Sequence, residues 1–145
     1  MAALDVKPVA ISTNQITTNA LSQQVIAYYF HGTVRCETCL KIEQQAREVI
    51  ERQFKTELDA QRLVFKSVNY DLPENVHFLS DYKLPCPSLV LVRQKGGKDD
   101  QRTLLGDTWQ LVEDSVKFNM YIETEVNKFL NDRKLRGATI IPGSN

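Results

Sequence analysis

VIAYYFHGTVRCETCL, residues 25–40, decides the fold. Its first six residues form an unbroken apolar run rich in β-branched and aromatic side chains, the pattern of a strand buried on both faces of a sheet. Gly32 opens a loop. From residue 36 the period changes: Cys39, Ile42, Ala46, Val49, Ile50 and Phe54 recur every three or four positions, which predicts a helix over 36–58. Cys36-Glu37-Thr38-Cys39 therefore falls where a buried strand hands over to a helix, the setting in which C-x-x-C reads as a dithiol redox site. One helical turn brings the two sulfurs within bonding reach. The free N–H groups and partial positive charge of the helix start favour a thiolate there. Cys36, nearest the helix start, is assigned as the attacking nucleophile. Cys39, one turn further and on the apolar face, is assigned as the resolving thiol that closes the disulfide and releases a mixed-disulfide partner.

Working outward, residues 63–69 (LVFKSVN) predict a second strand, 73–82 a short helix with Pro73 in its first turn, and 88–93 (SLVLVR) a third strand. Gly96-Gly97 marks a tight turn before a weaker strand over 101–105, and apolar positions Phe118, Ile122, Val126, Phe129 and Leu130 predict a final helix over 114–133, ended by Gly137. The order is β-α-β-α-β-β-α. A helical crossover makes the first two strands parallel and right-handed, and the tight turn makes the last two antiparallel. The expected class is α/β, a mixed four-stranded sheet flanked by helices. Residues 1–24 are expected to be a flexible segment or linker, 25–135 the domain, and 136–145 a loose tail.

Composition narrows the function classes. The 145 residues amount to one domain, and 42% apolar with 25% charged residues suits a folded globular chain. Eighteen basic residues match eighteen acidic ones, so nothing favours a nucleic-acid or anionic-membrane partner. No apolar run reaches the ~18 residues of a membrane helix. The N-terminal stretch is not an intact signal peptide, so the compartment is open between cytoplasmic and, if an export signal has been trimmed, extracytoplasmic. Three cysteines are too few for a disulfide scaffold.

The run VIAYYF, the C-x-x-C opening a helix, and Cys86-Pro87-Ser88 before LVLV together resemble the thioredoxin family over residues 25–133. Within it, Y-F-H-G-x-x-R-C-x-T-C and D-L-P-E-N-V-H-F are similar to small bacterial thioredoxin-like proteins of ArsF type. The resemblance implies a cis Cys86–Pro87 bond lying against the active pair, and a backbone at Cys86 that pairs with substrate as an added strand. It also implies a protein disulfide or dithiol as partner and no bound organic cofactor. The chain departs from the family pattern in three places. Arg35 stands where the family has Trp, Glu37-Thr38 stand where it has Gly-Pro, and VIAYYF lacks the buried acid that helps move the resolving thiol's proton. Arg35 is expected to stabilise a Cys36 thiolate and Glu37 to oppose it. Arg35, Glu37, Thr38, Cys86 and Pro87 make up the expected substrate groove.

Cys86 has three readings: a small residue lining the groove, a third redox thiol trading disulfides with Cys36, or a member of a soft-metal or metalloid site with Cys36 and Cys39. His31 reads as a loop histidine, or as a modulator of the thiolate or fourth metal ligand. His77 reads as structural, and Trp109 as a core or groove aromatic. Glu43 and Arg47 read as an exposed i,i+4 pair. The function expected is thiol–disulfide exchange, with a thiol-rich metal-binding domain or a redox-inert adaptor of the same fold as alternatives.

Overall fold

A computed structural model describes residues 23–143, with side chains as far as residue 131. Four strands, β1 (Gln23–His31), β2 (Leu63–Asn69), β3 (Ser88–Lys95) and β4 (Lys98–Leu104), form one sheet in the order β2-β1-β3-β4. β1 is parallel to β2 and antiparallel to β3, and β3 is antiparallel to β4. This is the mixed four-stranded α/β sheet expected. Gly96 and Gly97 both take positive φ at the β3–β4 turn, +59° and +81°, as a two-residue hairpin of primed type requires.

The six residues of VIAYYF are all buried, and their alternation divides them between two cores. Val25, Ala27 and Tyr29 face α1 (Glu37–Gln53) and α5 (Ser115–Gly143), packing with Cys39, Ile42, Phe118 and Ile122. Ile26, Tyr28 and Phe30 face the other way, onto Val90, Val92 and the aromatics Phe78 and Tyr82 beside α3 (His77–Asp81). Each fully buried large side chain contributes about 1.5–3 kcal/mol, so a polar replacement in this run would expose one of the two cores.

Several boundaries differ from expectation. The first helix ends at Gln53. Phe54 (φ −125°, ψ 35°) leaves helical geometry with its ring buried, and a separate short helix, α2 (Lys55–Asp59), follows. α3 begins only at His77. Asn75 Nδ2 donates to Asn69 O at 3.0 Å and the chain before it closes three-residue turns, local bonds that compete with a helix. α4 (Thr108–Leu111), carrying Trp109, was not expected. α5 continues through Gly137 to Gly143, past the end the sequence suggested. A lone helical glycine costs about 1 kcal/mol, too little to stop a helix. Of the expected N-terminal segment 1–24, residues 1–22 lie outside the described residues, and Gln23 and Gln24 begin β1. Among the described residues no helix is long and apolar enough to cross a membrane.

Candidate functional site: a cysteine pair at the start of α1

Cys36 caps α1. Its backbone is extended (φ −88°, ψ 165°), and its Sγ accepts a hydrogen bond from the Cys39 N–H at 3.3 Å. The side chain is exposed, and the 17-residue helix behind it directs its free N–H groups toward the sulfur. Glu37, exposed in the first turn, adds a negative charge that suits the helix start, and Thr38 is half-buried beside it. Cys39 is 1% exposed in the main core. The pair thus has one sulfur at the surface and one beneath it, and all three cysteines are free thiols.

The loop leading to Cys36 is tied to the loop after β2. Thr33 N–H donates to Asp71 Oδ2 at 2.7 Å, and Asn69 Nδ2 donates to Thr33 Oγ1 at 3.1 Å. Gly32 makes this approach feasible, because a Cβ there would lie 3.0 Å from the same Asp71 oxygen.

Arg35 bonds the inner sulfur of the pair. Its Nε donates to Cys39 Sγ at 3.4 Å, and its other end forms an ion pair with Glu43, which also binds Arg47 at 3.1 Å. The reason is geometric: Arg35 sits one residue before the cap and Glu43 two turns into the helix, so the guanidinium folds back over the first turn and passes the inner sulfur. Tyr29, on β1 beneath α1, donates its hydroxyl to the same sulfur at 3.2 Å. Burial and the bond to Cys39 raise the Tyr29 phenol well above its ordinary value, so it remains a donor. Burial lowers the Arg35 guanidinium, but the bonds to Cys39 and Glu43 outweigh this and the net shift is upward. Burial pushes the Glu43 carboxyl up, and the hydrogen bonds from Ser67, Arg35 and Arg47 reverse that and hold it below the ordinary carboxylate range. Glu43, with only 12% of its side chain exposed, is a site residue and not a solvated one. Sequence periodicity placed it on the polar face. The signal that could have found it is its spacing from Arg35 across the first turns.

The Cys86–Pro87 bond is not cis; no peptide bond among the described residues is. The trans form is preferred by ~0.5–1 kcal/mol for any X–Pro bond, and the trans segment here is pinned by its own hydrogen bonds. Ser88 Oγ donates to Cys86 O at 2.6 Å, and Trp109 Nε1 donates to Pro87 O at 3.0 Å. Cys86 is exposed and Pro87 half-buried at the entry to β3. Tyr70, a residue the sequence did not single out, packs against the second core. Burial raises its hydroxyl first, and the charges of Asp71, Cys86 and Cys39 add to this.

The three sulfurs are not gathered into a ligand set. Among the described residues no group of three or more His, Cys, Asp or Glu side chains is placed to hold a metal ion. The alternative metal or metalloid set of Cys36, Cys39 and Cys86 is therefore not brought together among the described residues. Cys39 is closed in by its two donors, and His31 uses both ring nitrogens locally, with Gly32 O at 2.9 Å and Ser67 Oγ at 3.1 Å. The hydrogen bonds of the His31 ring thus tie the end of β1 to its own loop and to β2. His77 pairs with Asp81 at 2.7 Å within α3, a structural contact.

A parallel β1-α1-β2 unit, an antiparallel β3–β4 hairpin, helices on both faces and a cysteine pair at the β1–α1 junction occur together here. The fold is thioredoxin-like. No family model and no curated protein matches the chain. Among solved structures it is similar to a thioredoxin from Thermus thermophilus, at 23% identity over 72% of this chain and 75% of that one, TM-score 0.43. It is also similar to oxidised thioredoxin O2 from Arabidopsis thaliana, at 16% identity over 75% and 88%, TM-score 0.41. A thioredoxin from Trypanosoma brucei brucei gives 20% identity over 72% and 81%, TM-score 0.40.

Proposed function

We propose that the protein is a thiol–disulfide oxidoreductase acting on protein thiols through Cys36 and Cys39. The observation that carries this reading is the position of Cys36: an exposed sulfur at the N-cap of a 17-residue helix, bonded by the N–H of a buried Cys39 one turn on. A sulfur so placed is accessible to a partner and faces the free N–H groups of the helix start. In the exchange, the Cys36 thiolate attacks a partner disulfide, one partner sulfur leaves, and a mixed disulfide forms. The Cys39 sulfur then bonds to Cys36 Sγ, the mixed disulfide breaks, and the second partner sulfur departs with the proton that Cys39 gives up. Arg35, Glu37, Thr38, Cys86 and Pro87 border the surface on which the partner would lie. The finer likeness to ArsF-type proteins rests on residues 29–39 and 71–78 and adds no chemistry to this reading.

The test is turnover of a protein disulfide by the full chain and by Cys36→Ser. The variant is expected to fall to the uncatalysed rate. Equal rates would remove the assignment and favour a redox-inert adaptor of the same fold.

A further inference from the structure

The inner sulfur of a C-x-x-C pair is the one that departs when the pair hands its disulfide to a partner. Here that sulfur is held by two donors from different elements, Tyr29 Oη at 3.2 Å and Arg35 Nε at 3.4 Å. Neither group takes the proton from the sulfur: the Tyr29 phenol stays protonated and donates its O–H, and the Arg35 guanidinium has donors only. Glu43 fixes the guanidinium from behind, and Arg47 holds Glu43 in turn at 3.1 Å. Hydrogen bonds to an ionised acceptor are about twice as strong as those to a neutral one. A sulfur in a disulfide is a weak acceptor, so the contacts favour the reduced pair over the oxidised one.

We infer that Tyr29 and Arg35 form a receiving site for the negative charge on Cys39 Sγ, with Glu43 as a positioning residue, and that this site poises the Cys36–Cys39 pair to donate disulfides to partner dithiols. The inference rests on the exchange reading above and adds its direction. A partner thiol loses its proton and attacks Cys36 Sγ. The Cys36–Cys39 bond breaks, and its electron pair leaves on Cys39 Sγ, where the two donors receive it. The partner's second thiol then attacks the partner sulfur of the mixed disulfide and releases Cys36. The partner dithiol is oxidised and the protein disulfide is reduced; one partner proton ends on Cys36, the other is released to solvent, and Cys39 Sγ keeps the charge that its two donors hold. A low-molecular-weight disulfide such as glutathione disulfide restores the oxidised pair.

The experiment is equilibration of the full chain in glutathione redox buffers, with the Cys36–Cys39 disulfide quantified by alkylation and mass mapping, for wild type, Tyr29→Phe and Glu43→Gln. Tyr29→Phe removes one hydroxyl and keeps the ring, so the core stays filled. Its disulfide-to-dithiol ratio is expected to rise about tenfold at a given buffer ratio, equivalent to a potential lower by ~30 mV for this two-electron couple. Glu43→Gln, which loosens Arg35, is expected to shift it the same way by about threefold. Ratios within twofold of wild type in both variants, or shifts toward the dithiol, overturn the inference while leaving exchange intact. If no Cys36–Cys39 disulfide forms in wild type at any ratio, the exchange reading itself fails, and this inference with it. Should Tyr29→Phe not fold, Glu43→Gln alone decides.

Discussion

The hydroxyl of Tyr29 donates to Cys39 Sγ at 3.2 Å, joining the central strand to the first helix through the inner thiol of the C-x-x-C pair. Tyr29 is fully buried in the same core that holds Cys39. The site and the core are therefore one structure on this side of the sheet. Substitutions that move α1 relative to β1 will change the chemistry of Cys39 as well as stability.

Cys86→Ser is expected to leave the Cys36–Cys39 disulfide as the product of mild oxidation, because the Cys39 N–H bonds Cys36 Sγ at 3.3 Å and holds the two residues one turn apart. Peptide mapping after limited oxidation of wild type and variant checks this. A Cys36–Cys86 bond as the main wild-type product would restore the reading of Cys86 as a third redox thiol.

Glu43→Gln is expected to destabilise the fold by about 1–3 kcal/mol, since it leaves the half-buried Arg35 without its charge partner. Urea denaturation at neutral pH measures it. The variant also tests a pH dependence. The folded Glu43 carboxyl lies below its ordinary value of 4.5, so its contribution is present above that pH and is lost as pH falls through the lower, folded value. Below pH ~4.5 the wild type should lose more stability than Glu43→Gln, and the two denaturation midpoints should converge.

At Gly32, alanine would place a Cβ 3.0 Å from Asp71 Oδ2, the oxygen that accepts from Thr33 N–H. The carboxylate must give by a few tenths of an ångström, which strains the bond it accepts from Thr33 N–H. Gly32→Ala is expected to cost about 1 kcal/mol, read as a lower denaturation midpoint with an unchanged denaturant slope.

Trp109→Phe removes the donor to Pro87 O and leaves the ring space largely filled. A loss of about 1 kcal/mol is expected. Amide hydrogen exchange is expected to quicken at Cys86 and Ser88. Unchanged protection there would show that Trp109 does not fix this segment.

The strands were legible because apolar burial writes itself into the chain. VIAYYF and SLVLVR lie at the centre of a sheet covered on both faces, and LVFKSVN begins and ends at the observed residues of β2. The thiol pair was legible for a related reason: a strand-to-helix transition places Cys36 at a cap and Cys39 on the apolar stripe. The network around Cys39 was not. Glu43 and Arg47 have the spacing of any exposed helical ion pair, and only the path of Arg35 over the first turn reveals that Glu43 faces inward. Tyr29 gave no cue either, since within an apolar run an aromatic side chain with a polar tip looks the same whether or not its hydroxyl finds a sulfur. The cis bond expected at Pro87 came from family likeness, whereas this chain's own residues, Ser88 and Trp109, hold the trans segment.

The most direct test of thiol exchange through this pair is trapping with Cys39→Ser. With the resolving thiol removed and an oxidised protein substrate supplied, the variant should accumulate a mixed disulfide, and peptide mapping should find the link at Cys36. No accumulated adduct, or a link at Cys86 in place of Cys36, would contradict the account.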